Sequence, residues 1–118
     1  MRRGSVGLRH LSLKTTHLED TVRFYTEVLG LEVAFRVPPK RVFLCSPGQD
    51  DLLDFVATKG KIKPDQGLDH FGLRVSKANL KAVEKKLKQH HVRIDGRRGR
   101  NSICFREPNG YRVEFYCD

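Results

Sequence analysis

The apolar positions switch between two periods along the chain. In residues 8–14, LRHLSLK, Leu11 and Leu13 alternate with His10, Ser12 and Lys14, which predicts a half-buried strand with the three polar residues on one face. The period then lengthens. Leu18, Val22, Tyr25, Val28 and Leu29 form one helical stripe, Thr16 and Glu19 stand at capping-box spacing ahead of it, and Gly30 marks its stop. LEVAFRV (31–37), RVFLCS (41–46) and LLDFVA (52–57) read as three further strands, separated by turns at PPK and PGQDD. Residues 58–67, TKGKIKPDQG, combine charge, glycine and proline without periodicity and read as a connector.

After the connector the order repeats. A strand is predicted over 68–75, and a helix over about 77–90 with Leu80, Val83 and Leu87 inward and lysines outward. Strands follow at HVRI, SICFRE and YRVEFY, the last two joined by a PNG turn. A step of 60 residues carries His10 onto His70, Leu13 onto Leu73, Asp54 onto Glu114 and Phe55 onto Phe115. A duplicated βαβββ unit accounts for this. Two copies are too few for a solenoid, so they are expected to pack as one α+β domain over residues 1–118, with modules at about 1–60 and 61–118.

Composition narrows the function classes. The chain is 38% hydrophobic and 31% charged, with no apolar run long enough to span a bilayer, which predicts no membrane insertion. The basic start, MRRGSVG, lacks the apolar stretch of a secretory signal, and the three cysteines, Cys45, Cys104 and Cys117, show no C-x-x-C spacing. Both features suit a cytoplasmic protein. A net charge of +9 invites a nucleic-acid reading, but the lysines and arginines are dispersed, acids are interleaved with them, and no nucleic-acid-binding motif matches. The same field favours an anionic small-molecule substrate.

The candidate chemistry lies in the duplicated positions. Two histidines and two carboxylates at matching places in two related sheets can surround a divalent metal, and imidazole with carboxylate suits iron, manganese, cobalt, nickel and zinc. Alternation sets His10 opposite Leu11 and Leu13, Asp54 opposite Leu53 and Phe55, and Glu114 opposite Val113 and Phe115. Each therefore points away from the apolar set, toward the sheet face that the helix leaves open. His17, His90 and His91 have no counterpart at the 60-residue step and read as structural or solvated.

The stretches HLSLKTTHLEDTVRFYTEVLGLEV, LDHFGLRV and FREPNGYRVEFY resemble the signatures of the vicinal oxygen chelate superfamily, which includes glyoxalase I, extradiol dioxygenases, and fosfomycin- and bleomycin-resistance proteins. The resemblance covers nearly the whole chain. It implies paired βαβββ modules forming a cup-shaped sheet around one divalent metal per site (nickel, cobalt, manganese, iron or zinc), and a homodimer whose sites are built across the subunit interface. His10, His70 and Glu114 match the family's ligands, and Asp54 matches its fourth position, a glutamate in glyoxalase I.

Within the family, the acid at position 54 favours a glyoxalase-like lyase or isomerase. The metal would act as Lewis acid on an enediolate from a small, anionic vicinal-oxygen substrate, with Glu114 as base and Asp54 as the second acid. The extradiol dioxygenases carry a tyrosine where this chain has Cys104. The fosfomycin thiol transferases carry an oxygen-rich cation loop where it has GRRGRN, although Ser12 resembles their active-site threonine. Ring cleavage, thiol transfer and non-enzymatic sequestration of an antibiotic remain as alternatives. The arginines of GRRGR, Arg97, Arg98 and Arg100, could contact an anion, but a solvated loop is the expected use.

Overall fold

The computed structural model describes residues 3–118, so Met1 and Arg2 of the basic N-terminal stretch lie outside the described residues. The two periods of the sequence produce two copies of one arrangement. In the first, β1 (His10–Thr15) is followed by α1 (Leu18–Glu27) and then β2 (Glu32–Val37), β3 (Arg41–Cys45) and β4 (Leu52–Ala57). In the second, β5 (Phe71–Arg74) and α2 (Lys77–Gln89) precede β6 (Ile94–Gly96), β7 (Ser102–Arg106) and β8 (Arg112–Tyr116). Each module closes into a four-stranded mixed sheet, ordered β1-β4-β3-β2 and β5-β8-β7-β6, with its first strand parallel to its last.

The helices cover one face of each sheet. Leu13, Val42, Leu44, Leu53 and Phe55 are buried on that face of the first sheet, and the Tyr25 ring of α1 packs against Phe55 with centroids 5.0 Å apart. Ile103, Phe105, Val113 and Phe115 do the same in the second sheet, and residues of both modules join one apolar cluster. Polar side chains tie the modules together. Thr15 donates to Asn109 Oδ1 at 2.6 Å, Tyr111 donates to the Lys14 carbonyl at 2.8 Å, and Tyr25 donates to Glu107 at 2.9 Å.

Local structure departs from the sequence reading in four places. Thr16 and Glu19 form no capping box: the N-cap is His17, without a side-chain cap bond, while Thr16 pairs with the His17 ring and Glu19 with Arg36. The strand expected over 68–75 is confined to Phe71–Arg74, which leaves His70 just ahead of it. The strand expected at HVRI begins only at Ile94, because His91 turns out of α2 with φ of 59° and the Val92 amide returns to the Leu87 carbonyl. Finally, the pairing of β2 with β3 shifts between Val33 and Phe35, so Val33 lies beside core residue Leu44 while Phe35 lies beside Phe43 on the open face. Gly30, by contrast, takes φ of +81° and stops the helix as its sequence position predicts.

Candidate active site

Cross-strand register builds one transverse row on the open face of each sheet. In the first sheet the row runs Ser12, Asp54, Phe43, Phe35, and in the second Gly72, Glu114, Cys104, Gly96. The two acids thus hold equivalent places in the two sheets, as the 60-residue step predicts.

Glu114 is 8% exposed, and its Oε1 lies 3.7 Å from His70 Nε2. That separation is too long for a hydrogen bond, and it suits two ligands each about 2.0–2.2 Å from a common ion. The His70 Nδ1–H donates to Asp69 at 2.6 Å, which fixes the ring and aims the Nε2 lone pair toward Glu114. His70 lowers the Asp69 carboxyl below its usual range through this bond. The neighbours of Glu114 along the row are small. A Cβ on Gly72 would lie 3.6 Å from Glu114 Oε1 and 3.2 Å from the Tyr116 ring, so its absence leaves room beside the carboxylate. Arg98 reaches Glu114 Oε2 at 3.3 Å from a mostly exposed position, held by its amide donating to Ser102. Burial pushes the Cys104 thiol up, so at neutral pH it stays protonated beside Glu114.

The other candidates sit in the first sheet. His10 is exposed at the start of β1, two residues before Ser12. Asp54 is fully buried and already has a cation: Arg41 Nη1 donates to its Oδ2, which also accepts from Ser12 at 2.7 Å, while Arg41 donates to Ser12 at 2.9 Å. Asp54 Oδ1 is buried with no hydrogen-bond partner among the described residues. The chain therefore brings His70 together with Glu114, and Ser12 together with Asp54. It does not gather all four predicted ligands: among the described residues no three histidine, cysteine or acidic side chains form a metal-holding group.

The family model described as the Glyoxalase/Bleomycin resistance protein/Dioxygenase superfamily matches residues 7–115. The chain belongs to that superfamily. Among curated members of the superfamily, it is 27% identical over 137 aligned positions to an iron-dependent extradiol dioxygenase of Rhodococcus jostii (strain RHA1), covering 98% of this chain and 44% of that protein. It thus spans less than half the length of that relative. Among solved structures, the trypanothione-dependent glyoxalase I of Leishmania major superposes with a TM-score of 0.77 at 25% identity, over 96% of this chain and 87% of that one. The fosfomycin resistance protein FosX of Listeria monocytogenes gives 0.79 at 18% identity, over 98% and 93%, and shows the shared superfamily fold.

Three features of the site were not legible from motifs. Asp69 lies directly before His70, and a carboxylate beside a candidate ligand histidine was the available signal. Arg41 is brought to Asp54 only by the register of β3 on β4. Arg98, expected to be solvated in its loop, instead turns its guanidinium to Glu114.

Proposed function

We propose that this protein is a metal-dependent enzyme of the glyoxalase type, acting on a small anionic substrate with two adjacent oxygens. The observation that carries the reading is the His70–Glu114 pair at 3.7 Å, with His70 oriented by Asp69 and Gly72 leaving space beside the carboxylate. The donor set is imidazole and carboxylate, which suits a first-row divalent ion. His10, His70 and Glu114 would hold that ion, and because no three such side chains gather among the described residues of one chain, a second copy would complete the set in a homodimer. Bound there, the ion would supply Lewis acidity to the substrate.

The chain's own residues do the rest. Asp69 holds the His70 ring in one tautomer, so that Nε2 stays available. Glu114, between Gly72 and Cys104 in its row, takes a proton from the substrate carbon next to one oxygen and returns it to the neighbouring carbon. Arg98, mostly exposed and opposite Glu114, draws an anionic substrate toward that carboxylate without occupying the row. No helix among the described residues is long and apolar enough to cross a membrane, and the basic surface adds long-range attraction for anions.

The likeness to the iron-dependent extradiol dioxygenase supports a second reading, ring cleavage, and the first experiment separates the two by the metal that is retained. Purified protein is loaded from an equimolar mixture of manganese, iron, cobalt, nickel and zinc, dialysed, and its metal content measured by mass spectrometry. About one ion per chain is expected, lost in His10→Ala, His70→Ala and Glu114→Gln. Nickel, cobalt or zinc supports the isomerase reading, and selective iron supports ring cleavage. Unchanged retention in the three variants, or no retention by the unaltered chain, rejects a metal at these residues.

A further inference from the structure

The row on the first sheet differs from its duplicate in what flanks the acid. Where the second sheet has Cys104 and Gly96 beside Glu114, the first has Phe43 and Phe35 beside Asp54. The two rings stack at 4.4 Å and 19°, and Phe35 remains 46% exposed. No described residue covers this pair of stacked rings, and an exposed apolar patch beside a polar group is the mark of a binding surface.

Arg41 stands one row away, between Val37 and Val56. Its Nη1 is committed to Asp54 and Ser12, while Nε and Nη2 carry no hydrogen bond among the described residues, and the side chain is 36% exposed. A guanidinium fixed on one side by a buried carboxylate presents its remaining planar edge in one orientation, which suits the two oxygens of a carboxylate. Lys14, across Val56 in the same row, adds a second cation beside Arg41.

We propose that the open face of the first sheet recognises a planar aromatic anion: Arg41 pairs with its carboxylate, and Phe43, backed by Phe35, stacks on its ring. Asp54 is then a positioning residue for Arg41 rather than a metal ligand. This deepens the proposed function by naming the substrate class as an aryl-bearing vicinal-oxygen anion, and it rests on that reading only for the reaction that follows binding.

The test uses the whole chain, in metal-free and metal-loaded forms, titrated with 2-naphthoate, cyclohexanecarboxylate and 2-naphthamide and followed by amide chemical shifts. In the metal-free form 2-naphthoate is expected to bind roughly tenfold more tightly than either comparison, because only it offers both charge and ring. Shifts are expected along β3 and β2. Phe43→Leu should abolish the preference for the ring. Replacing Arg41 alone would leave Asp54 buried and unpaired and could unfold the sheet, so the charge is removed in pairs, as Arg41→Gln with Asp54→Asn. That double variant should bind naphthoate and naphthamide equally. Equal affinity for the three probes, shifts away from β2 and β3, or no binding because a second copy seals the face would each overturn the proposal. Loss of metal retention with naphthoate binding intact would instead reject only the metal reading.

Discussion

His70 shows how far a single residue's role can be read from sequence. The 60-residue step singles it out with His10 and Glu114, but neither its partner nor its free space is encoded in that step. Asp69 lies beside it and fixes its tautomer, and Gly72 opens the space in front of Glu114. Asp69→Asn exchanges a carboxylate acceptor for an amide and weakens the hold on the ring. Metal affinity is expected to fall at least about tenfold while the fold is unchanged, as read by competition with a chelator and by circular dichroism. Gly72→Val places branched carbon where even a Cβ meets the Tyr116 ring at 3.2 Å and Glu114 Oε1 at 3.6 Å. A loss of similar size is expected, and unchanged affinity in both variants would show that neither contact serves the site. These residues escaped the sequence reading because orientation and vacancy are properties of packing, whereas candidate ligands announce themselves by chemical type.

Elements that bury a regular apolar stripe were the legible ones. Both helices lie where their periodicity places them, and Leu80, Val83 and Leu87 are buried as expected. The misplaced pieces are those where backbone hydrogen bonding overrides pattern: the N-cap of α1, the shortened β5, the exit from α2, and the shift in β2 that turns Phe35 toward the open face. The PNG turn between β7 and β8, read only as a turn, joins the modules. Glu107 accepts from Tyr25, from the Asn109 amide at 2.5 Å and from the Tyr111 amide at 3.2 Å. Burial outweighs these bonds and raises the Glu107 carboxyl above its ordinary value of 4.5. A carboxyl with a raised native pKa binds its proton more tightly folded than unfolded. Its stabilising contribution is therefore full below 4.5 and is lost as pH rises through the native value. Glu107→Gln stays neutral throughout. Subtracting its urea stability from that of the unaltered chain at each pH should leave a difference that moves against the unaltered chain from pH 4.5 upward and levels off above the native value. A flat difference would mean that burial does not govern this group.

At the scale of the whole molecule, one chain holds the predicted ligands in two sets, the division that sites built across a subunit interface require. His10 stands on the open face of the first sheet, and His70 with Glu114 on that of the second, and no group of three forms among the described residues of one chain. The duplication was legible from the 60-residue step, whereas the expectation of sites shared between subunits came from the family resemblance alone, because a repeat specifies equivalent places and leaves their partners to assembly. If two copies of the chain build each site, a two-fold dimer holds two sites, each drawing His10 from one copy and His70 with Glu114 from the other. Co-expressing His10→Ala and His70→Ala chains with different affinity tags, and purifying through both tags, isolates the hybrid. In that hybrid one site combines both alanines and the other combines both intact histidines. The expected metal content is about one ion per hybrid dimer, against none for either variant dimer alone. A single chain that assembled its own site would give no ion in the hybrid, because each copy would lack one of its histidines. Restored metal thus distinguishes shared sites from self-contained ones without any knowledge of the substrate.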